Sequence, residues 1–235
     1  ELNVGRFTEE SRKSAEARNS GGLKSINVFG GSYKFTDNFS ASLYGSEMKD
    51  EMRKQYVGMT YVLPLEDKQS LTFDFNGYRT HFDSAYARDV LQTDGSKNKI
   101  WSLATTYAFG PHSLLLAYQS STGDMGYRYG GYRNDRGVGD GGNTILLANS
   151  YWSDFNGKDE RSWQAGYGLD FSAFGVPGLT YNIAYVRGTN IDDGSNRGSG
   201  TEREIFNQFK YVVQSGPAKD LSLRARASWL RVSNN

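Results

Sequence analysis

The chain has 235 residues, with 27 Lys plus Arg against 26 Asp plus Glu, a formal net charge of +1, 28 Gly, 4 Pro, 16 Tyr, 13 Phe and no Cys. This balance does not mark a nucleic-acid or membrane-surface binder, and the lack of Cys excludes a disulfide framework, thiolate chemistry and Cys-ligated zinc. No run of about 18 apolar residues occurs, which excludes a helical membrane protein; a membrane β-barrel stays open, because alternating strands average out in any hydropathy sum.

Alternation is the dominant pattern along the chain. In "NFSASLY", Phe39, Ala41 and Leu43 alternate with Ser40, Ser42 and Tyr44. "SLTFDFNGY" sets Leu71, Phe73 and Phe75 against Thr72, Asp74 and Asn76. In "IWSLATTYAF", Trp101, Leu103, Tyr107 and Phe109 oppose Ser102, Ala104, Thr106 and Ala108. "SWQAGYGLDF" gives Trp163, Ala165, Tyr167, Leu169 and Phe171 against Ser162, Gln164, Gly166, Gly168 and Asp170, and "LTYNIAYV" gives Leu179, Tyr181, Ile183 and Tyr185 against Thr180, Asn182 and Ala184. Period two with aromatic and β-branched enrichment predicts strands, not amphipathic helices. Eleven runs follow, at about 1–8, 24–35, 38–46, 53–63, 69–82, 98–109, 112–121, 160–174, 178–187, 202–214 and 219–232.

The connections alternate in length. Short ones are "TDN", "PLEDKQ", "GPH", "GVPG" and "SGPAKD"; long ones lie at 10–22, 83–97, about 122–159 and 188–200, with one modest exception near 47–52. Every second connection being long gathers the long loops at one end of an up-and-down sheet, as in outer-membrane barrels with short periplasmic turns. A soluble sandwich would bury its apolar face and expose the polar one. Its strands usually run about five or six residues, whereas these approach the nine to eleven that cross a bilayer at a tilt. Eleven strands do not close a bacterial barrel, which takes an even number, so the reading is part of a larger all-β transmembrane antiparallel barrel. Residues 1–235 are expected to form part of a single barrel domain, with no leader before the first strand and no closing strand after the last.

Several segments carry a family resemblance: "NFSASLYGSEMKD", "QSLTFDFNGYRT", "LLLAYQ", "LLANSYWSDFNG", "SWQAGYGLDFSAFGVPGLTYNIAYV" and "KYVVQSGPAKDLSLRAR". Over nearly its whole length the chain resembles the OprD-type substrate-specific porins of pseudomonads, also called outer-membrane carboxylate channels. The resemblance implies a barrel of eighteen strands, of which this chain supplies the seventh to seventeenth. It makes 122–159 the seventh external loop, folded into the lumen. It also implies the bacterial outer membrane as location, with surrounding lipid and lipopolysaccharide, a monomer or weak trimer, and no cofactor.

The run at 202–214 places Phe206, Gln208 and Lys210 on one face. A turn centred on Gly216 and Pro217 sets Lys210 level with Arg224 and Gln208 level with Arg226. Like charges directly opposite destabilise a strand pair, by roughly 0.8 kcal/mol at about 5.5 Å in water. Residues chosen for stability would avoid this pairing, and a row of cations suits carboxylates, which guanidinium groups bind bidentately. Several weak sites in series permit both entry and release. The bland alternative is three solvated lumen charges; the resemblance implies that Lys210, Arg224 and Arg226 are rungs of the family's basic ladder. Arg231, out of phase, belongs to the outer rim.

"YWSDFNG" supplies Tyr151, Trp152, Ser153 and Asp154 in a segment that the resemblance places at the constriction, opposite the ladder. Asp154 is also readable as a turn-capping residue before "NG". The Arg-, Tyr- and Gly-rich stretch at 126–142 lies in a long outer loop and is not read as a nucleic-acid site. "NIDDG" lacks the spacing of a calcium loop, so no metal is expected. His81 and His112 fall at opposite ends of the barrel, outside any catalytic triad. A barrel enzyme or a surface adhesin remain as other classes. The favoured reading is a passive channel, not an enzyme, for small carboxylates. The short segment at 188–200 inclines the substrate towards cyclic or aromatic carboxylates rather than basic amino acids.

Overall fold

The structure, a computed structural model, describes residues 2–8, 25–89, 91–129, 145–192, 194 and 199–233. Eleven strands form one antiparallel sheet in chain order: β1 (Leu2–Thr8), β2 (Ser25–Lys34), β3 (Phe39–Met48), β4 (Met52–Pro64), β5 (Ser70–Phe82), β6 (Lys97–Phe109), β7 (His112–Gly123), β8 (Arg161–Asp170), β9 (Leu179–Ile191), β10 (Gly200–Val212) and β11 (Ser222–Ser233). All eleven expected runs are present. Two boundaries move by four residues: the run expected to end at 187 continues to Ile191, and the run expected to reach residue 174 leaves the sheet at Asp170. There the Asp170 carboxylate accepts from the Ser172 amide at 2.8 Å and starts a single 3-10 turn, Phe171–Phe174. Gly175 (φ 83°) and Gly178 (φ 85°) then adopt the left-handed backbone needed to reverse the chain in so few residues. The connection read as a plain loop after β5 also contains a short helix, α1 (Ser84–Asp89), entered through the Asp83 carboxylate, which accepts from the Ala85 amide at 2.9 Å.

Burial is inverted relative to a soluble sheet. On the apolar face, Leu116 is 67% exposed and Trp229 61%, with Leu103, Leu114, Trp163 and Phe209 also open. On the polar face, Ser102, Gln119, Gln164 and Glu204 are buried. A sandwich has no means of producing this pattern, because its apolar faces meet each other; a barrel with lipid outside and a polar interior requires it. No helix among the described residues is long and apolar enough to cross a membrane.

The polar positions are buried because residues 124–129 and 145–160, from the connection between β7 and β8, lie over them. Two apolar clusters help to hold this cover. Ile26, Met48, Met52 and Phe82 surround Ala87 of α1 and Met125, while Ile100 packs with Tyr127, Ile145 and Leu147. These small satellite cores sit on the side of the sheet that faces the lumen.

Candidate functional site

The site begins with register. In the β10–β11 hairpin, Lys210 stands opposite Arg224 and Gln208 opposite Arg226, the alignment expected from the turn residues. Gly216 (φ 81°) and the bonds Val213 N–H to Leu221 O (3.0 Å) and Asp220 N–H to Val213 O (2.9 Å) set that alignment. Arg226 Nε donates to Gln208 Oε1 at 2.6 Å. Among the described residues Lys210, Arg224 and Arg226 have no carboxylate within ion-pair distance. The wall beside them is small or polar: Gln208 faces Asn182 and Lys210 faces Thr180 on β9, with Ala184, Gly166 and Gly168 nearby on the same face. Small neighbours leave the cations accessible to a solute.

Further along the same face the strand carries acids instead. Glu204 is fully buried, and its two carboxylate oxygens accept from the backbone N–H groups of Trp152 and Ser153, each at 2.9 Å. The Ser228 hydroxyl donates to Glu204 as well. Ser153 Oγ donates to the Glu202 carboxylate at 2.8 and 2.9 Å. Gln119 Nε2 donates to the carbonyls of Asp154 (2.7 Å) and Phe155 (2.9 Å), and its Oε1 accepts from Asn149 N–H at 3.2 Å. Ser102 Oγ accepts from Ala148 N–H at 3.0 Å, and Ser162 accepts from Asn149 Nδ2 at 2.8 Å. Cross-strand register puts Ser102, Gln119, Ser162, Gly188 and Glu202 on one line. That line is a seat for the loop. Gly188 belongs to it by necessity, since a Cβ there would lie 2.9 Å from the buried Phe155 ring and 2.0 Å from a Glu160 carboxyl oxygen.

A second anchor lies on β4. Lys54 Nζ donates to the Tyr127 hydroxyl at 2.8 Å and to the Arg128 carbonyl at 3.0 Å, also reaches the Tyr129 carbonyl, and sits 4.3 Å over the Tyr127 ring.

The four loop residues singled out from the sequence therefore differ in what they do. Trp152 is 79% exposed. Tyr151 stacks on Phe206 at 4.3 Å and 22°, and its hydroxyl accepts from Gln164. Ser153 is engaged with Glu202. The Asp154 carboxylate accepts from the Ser150 hydroxyl four residues earlier. Burial and the neighbouring charges of Glu204 and Glu202 push its pKa up to about 6. Burial and the adjacent Glu202 also raise Glu160 well above the usual carboxylate range. Two carboxyls side by side do not both ionise, and a proton shared with Glu202 would satisfy Glu160 Oε1, which has no other partner among the described residues.

The cluster is seated on β10, the strand that carries Lys210. From the Tyr151–Phe206 stack, the Gln208–Arg226 rung lies one step along the strand and the Lys210–Arg224 rung two, at about 7 Å per step. The loop and the cations are neighbours in series along one wall.

The anchors Lys54, Gln119, Gln164, Glu160, Glu202 and Glu204 were not singled out from the sequence. Their only local signal is alternation on the polar face, which a wetted lumen residue shares. The stretch at 126–142 lies largely outside the described residues, as does part of "NIDDG". His112 Nδ1 is 2.7 Å from the Tyr167 hydroxyl at the short-turn end, while His81 lies at the long-loop end of β5. No cluster of three metal-ligating side chains occurs among the described residues.

Comparison with known proteins agrees with this architecture. A family model described as "outer membrane porin, OprD family" matches residues 1–235. Porin D of Pseudomonas aeruginosa is 43% identical over 255 aligned residues, covering 99% of this chain and 56% of that protein. Among solved structures, OccAB1 of Acinetobacter baumannii superimposes with a TM-score of 0.83 at 40% identity, covering 98% of this chain and 58% of that one. OprD of Pseudomonas aeruginosa does so with a TM-score of 0.80 at 42% identity, covering 99% and 61%. The chain spans little more than half the length of these relatives, so its eleven strands are part of a larger barrel. A full-length family match, an inside-out sheet and a loop seated on its polar face lead to one assignment: the chain belongs to the OprD family of outer membrane porins.

Proposed function

We propose that the whole protein is a passive, substrate-selective channel for small carboxylates, with Lys210, Arg224 and Arg226 as successive binding positions on the lumen wall. The observation that carries this reading is the pair of adjacent rungs, Lys210 opposite Arg224 and Gln208 opposite Arg226, on the polar face with no carboxylate among the described residues within ion-pair distance. Such a row is costly for the fold and useful to an anion in transit. Residues 1–235 then form part of one barrel domain, and the loop at about 122–159 narrows its lumen. Cyclic or aromatic carboxylates are the favoured class, because the exposed Trp152 indole and the Tyr151–Phe206 stack offer ring faces next to the first rung. Uptake of basic amino acids is the second reading, favoured by the carboxyls of Asp154, Glu202 and Glu204. Hydrogen bonds to the loop already occupy the last two.

Liposomes holding the full barrel test this with labelled benzoate and labelled arginine. Benzoate is expected to enter faster, and Arg224→Gln with Arg226→Gln is expected to slow it about fivefold per rung, the worth of roughly 1 kcal/mol. Faster arginine entry would overturn the substrate class. Unchanged benzoate entry in the double variant would reduce the ladder to solvated charges.

A further inference from the structure

A second row of arginines lies on the other face of the same strands. Arg203 on β10 stands directly opposite Arg187 on β9 and Arg231 on β11, and all three are exposed. Arg161, one diagonal position away from Arg187 on β8, joins them. Arg187, Arg203 and Arg231 together line a hollow of about 280 Å³ with Thr201 and Ser233. Glu202 also borders the hollow, but its carboxylate is bonded to Ser153 on the polar face. The remaining positions that alternate with the lumen face on β8 to β11 are apolar, aromatic, Asn, Thr or Ser, so these four strands set no carboxylate among the guanidiniums on this face. Three like charges in cross-strand register destabilise a sheet unless an anion lies against them.

What lies beside the row indicates the anion. Two residues along each strand come Trp163 on β8, Tyr185 on β9, Ile205 on β10 and Trp229 on β11, exposed or half-buried on the lipid-facing side. Trp163 and Tyr185 are in ring contact at 5.4 Å. The arginines are at the end of the strands remote from the short turns 171–178 and 213–221, which in such barrels is the outer-leaflet end. Cations directly above an aromatic and aliphatic belt fit an amphiphile with phosphates above its acyl chains.

We propose that Arg161, Arg187, Arg203 and Arg231 form a site on the outer wall for a phosphorylated glycolipid of the outer leaflet, with the phosphates on the guanidinium row and the acyl chains on Trp163, Tyr185, Ile205 and Trp229. Guanidinium is the suited group, since it binds phosphate bidentately. The site is independent of which solute the lumen passes.

The test is native mass spectrometry of the purified full-length barrel titrated with bis-phosphorylated lipid A, phosphate-free lipid A, phosphatidylglycerol or inorganic phosphate. The wild type is expected to retain bis-phosphorylated lipid A in preference to the other three. The triple variant Arg187→Gln, Arg203→Gln, Arg231→Gln is expected to retain it at least about tenfold less well. The lumen pair Arg224→Gln, Arg226→Gln is expected to retain it fully. Heat-modifiable migration on gels checks folding, and if the triple variant does not fold, Arg203→Gln alone is measured the same way and is expected to bind more weakly than wild type. Equal retention by the folded variant would overturn the site. Equal binding of phosphatidylglycerol would reduce it to a general anionic surface, and displacement of lipid A by inorganic phosphate would make it a free-anion site.

Discussion

Asp154 shows how a residue's role depends on what surrounds it. Next to "NG" it reads as a turn former, and it does bond Ser150 within its own turn. Burial beside Glu204 and Glu202 nevertheless raises its pKa to about 6, above the value of about 3.9 for a free aspartate. The seated loop therefore favours the protonated form. This contribution to seating is complete below about pH 4 and is lost as the pH rises through about 6. Amides of residues 150–155 are expected to exchange more slowly at pH 5 than at pH 7.5, after correction for intrinsic rates. Asp154→Asn should flatten the difference. A wild-type loop equally protected at both values would remove Asp154 as its titrating group.

At the scale of elements, β10 serves two functions at different points along one face. Its upper half holds the loop through Glu202 and Glu204, and its lower half presents Phe206, Gln208 and Lys210. Two bonds from backbone N–H to a buried carboxylate are worth about 1.5–3 kcal/mol each, so Glu204→Ala is expected to release the turn at Trp152 and Ser153. Loss of about 100-fold in amide protection at those two positions, from roughly 3 kcal/mol, is the expected reading in hydrogen exchange. Protection that survives the substitution would mean that Gln119 and Gln164 suffice to hold the loop. The hairpin register was legible beforehand because nine residues separate Val212 from Ser222 and the turn chemistry sets their alignment. The loop seat was not legible, because it joins Lys54 to Tyr127, Gln119 to Asp154 and Glu204 to Trp152 across 73, 35 and 52 positions.

At the scale of the molecule, the sheet is inside out, and its stability depends on the solvent that meets each face. Leu116 projects from the apolar face near the middle of β7. Leu116→Arg is expected to cost about 2–4 kcal/mol, the penalty for a charge near the bilayer midplane, measured as reversible unfolding of the barrel from lipid vesicles. The same charge placed at Gln208, on the lumen side, should cost far less. Equal stabilities for the two variants would contradict the assignment of the faces. The two arginine rows follow the same division, since Arg224 and Arg226 alternate with the positions that carry Trp229 and Arg231 on β11.

The sequence by itself determined the strands, the side of the sheet each residue occupies and the opposition of Lys210 and Arg224. These depend on a two-residue period and on a single hairpin turn, both local. Only the tertiary structure decided that Ser153 and Tyr151 hold the loop while Trp152 stays open, and that the loop is bonded to the strand that carries Lys210. It also decided that Arg187, Arg203 and Arg231 come into line. Those outcomes depend on register accumulated over several strands and on bonds between distant segments, which no local pattern encodes.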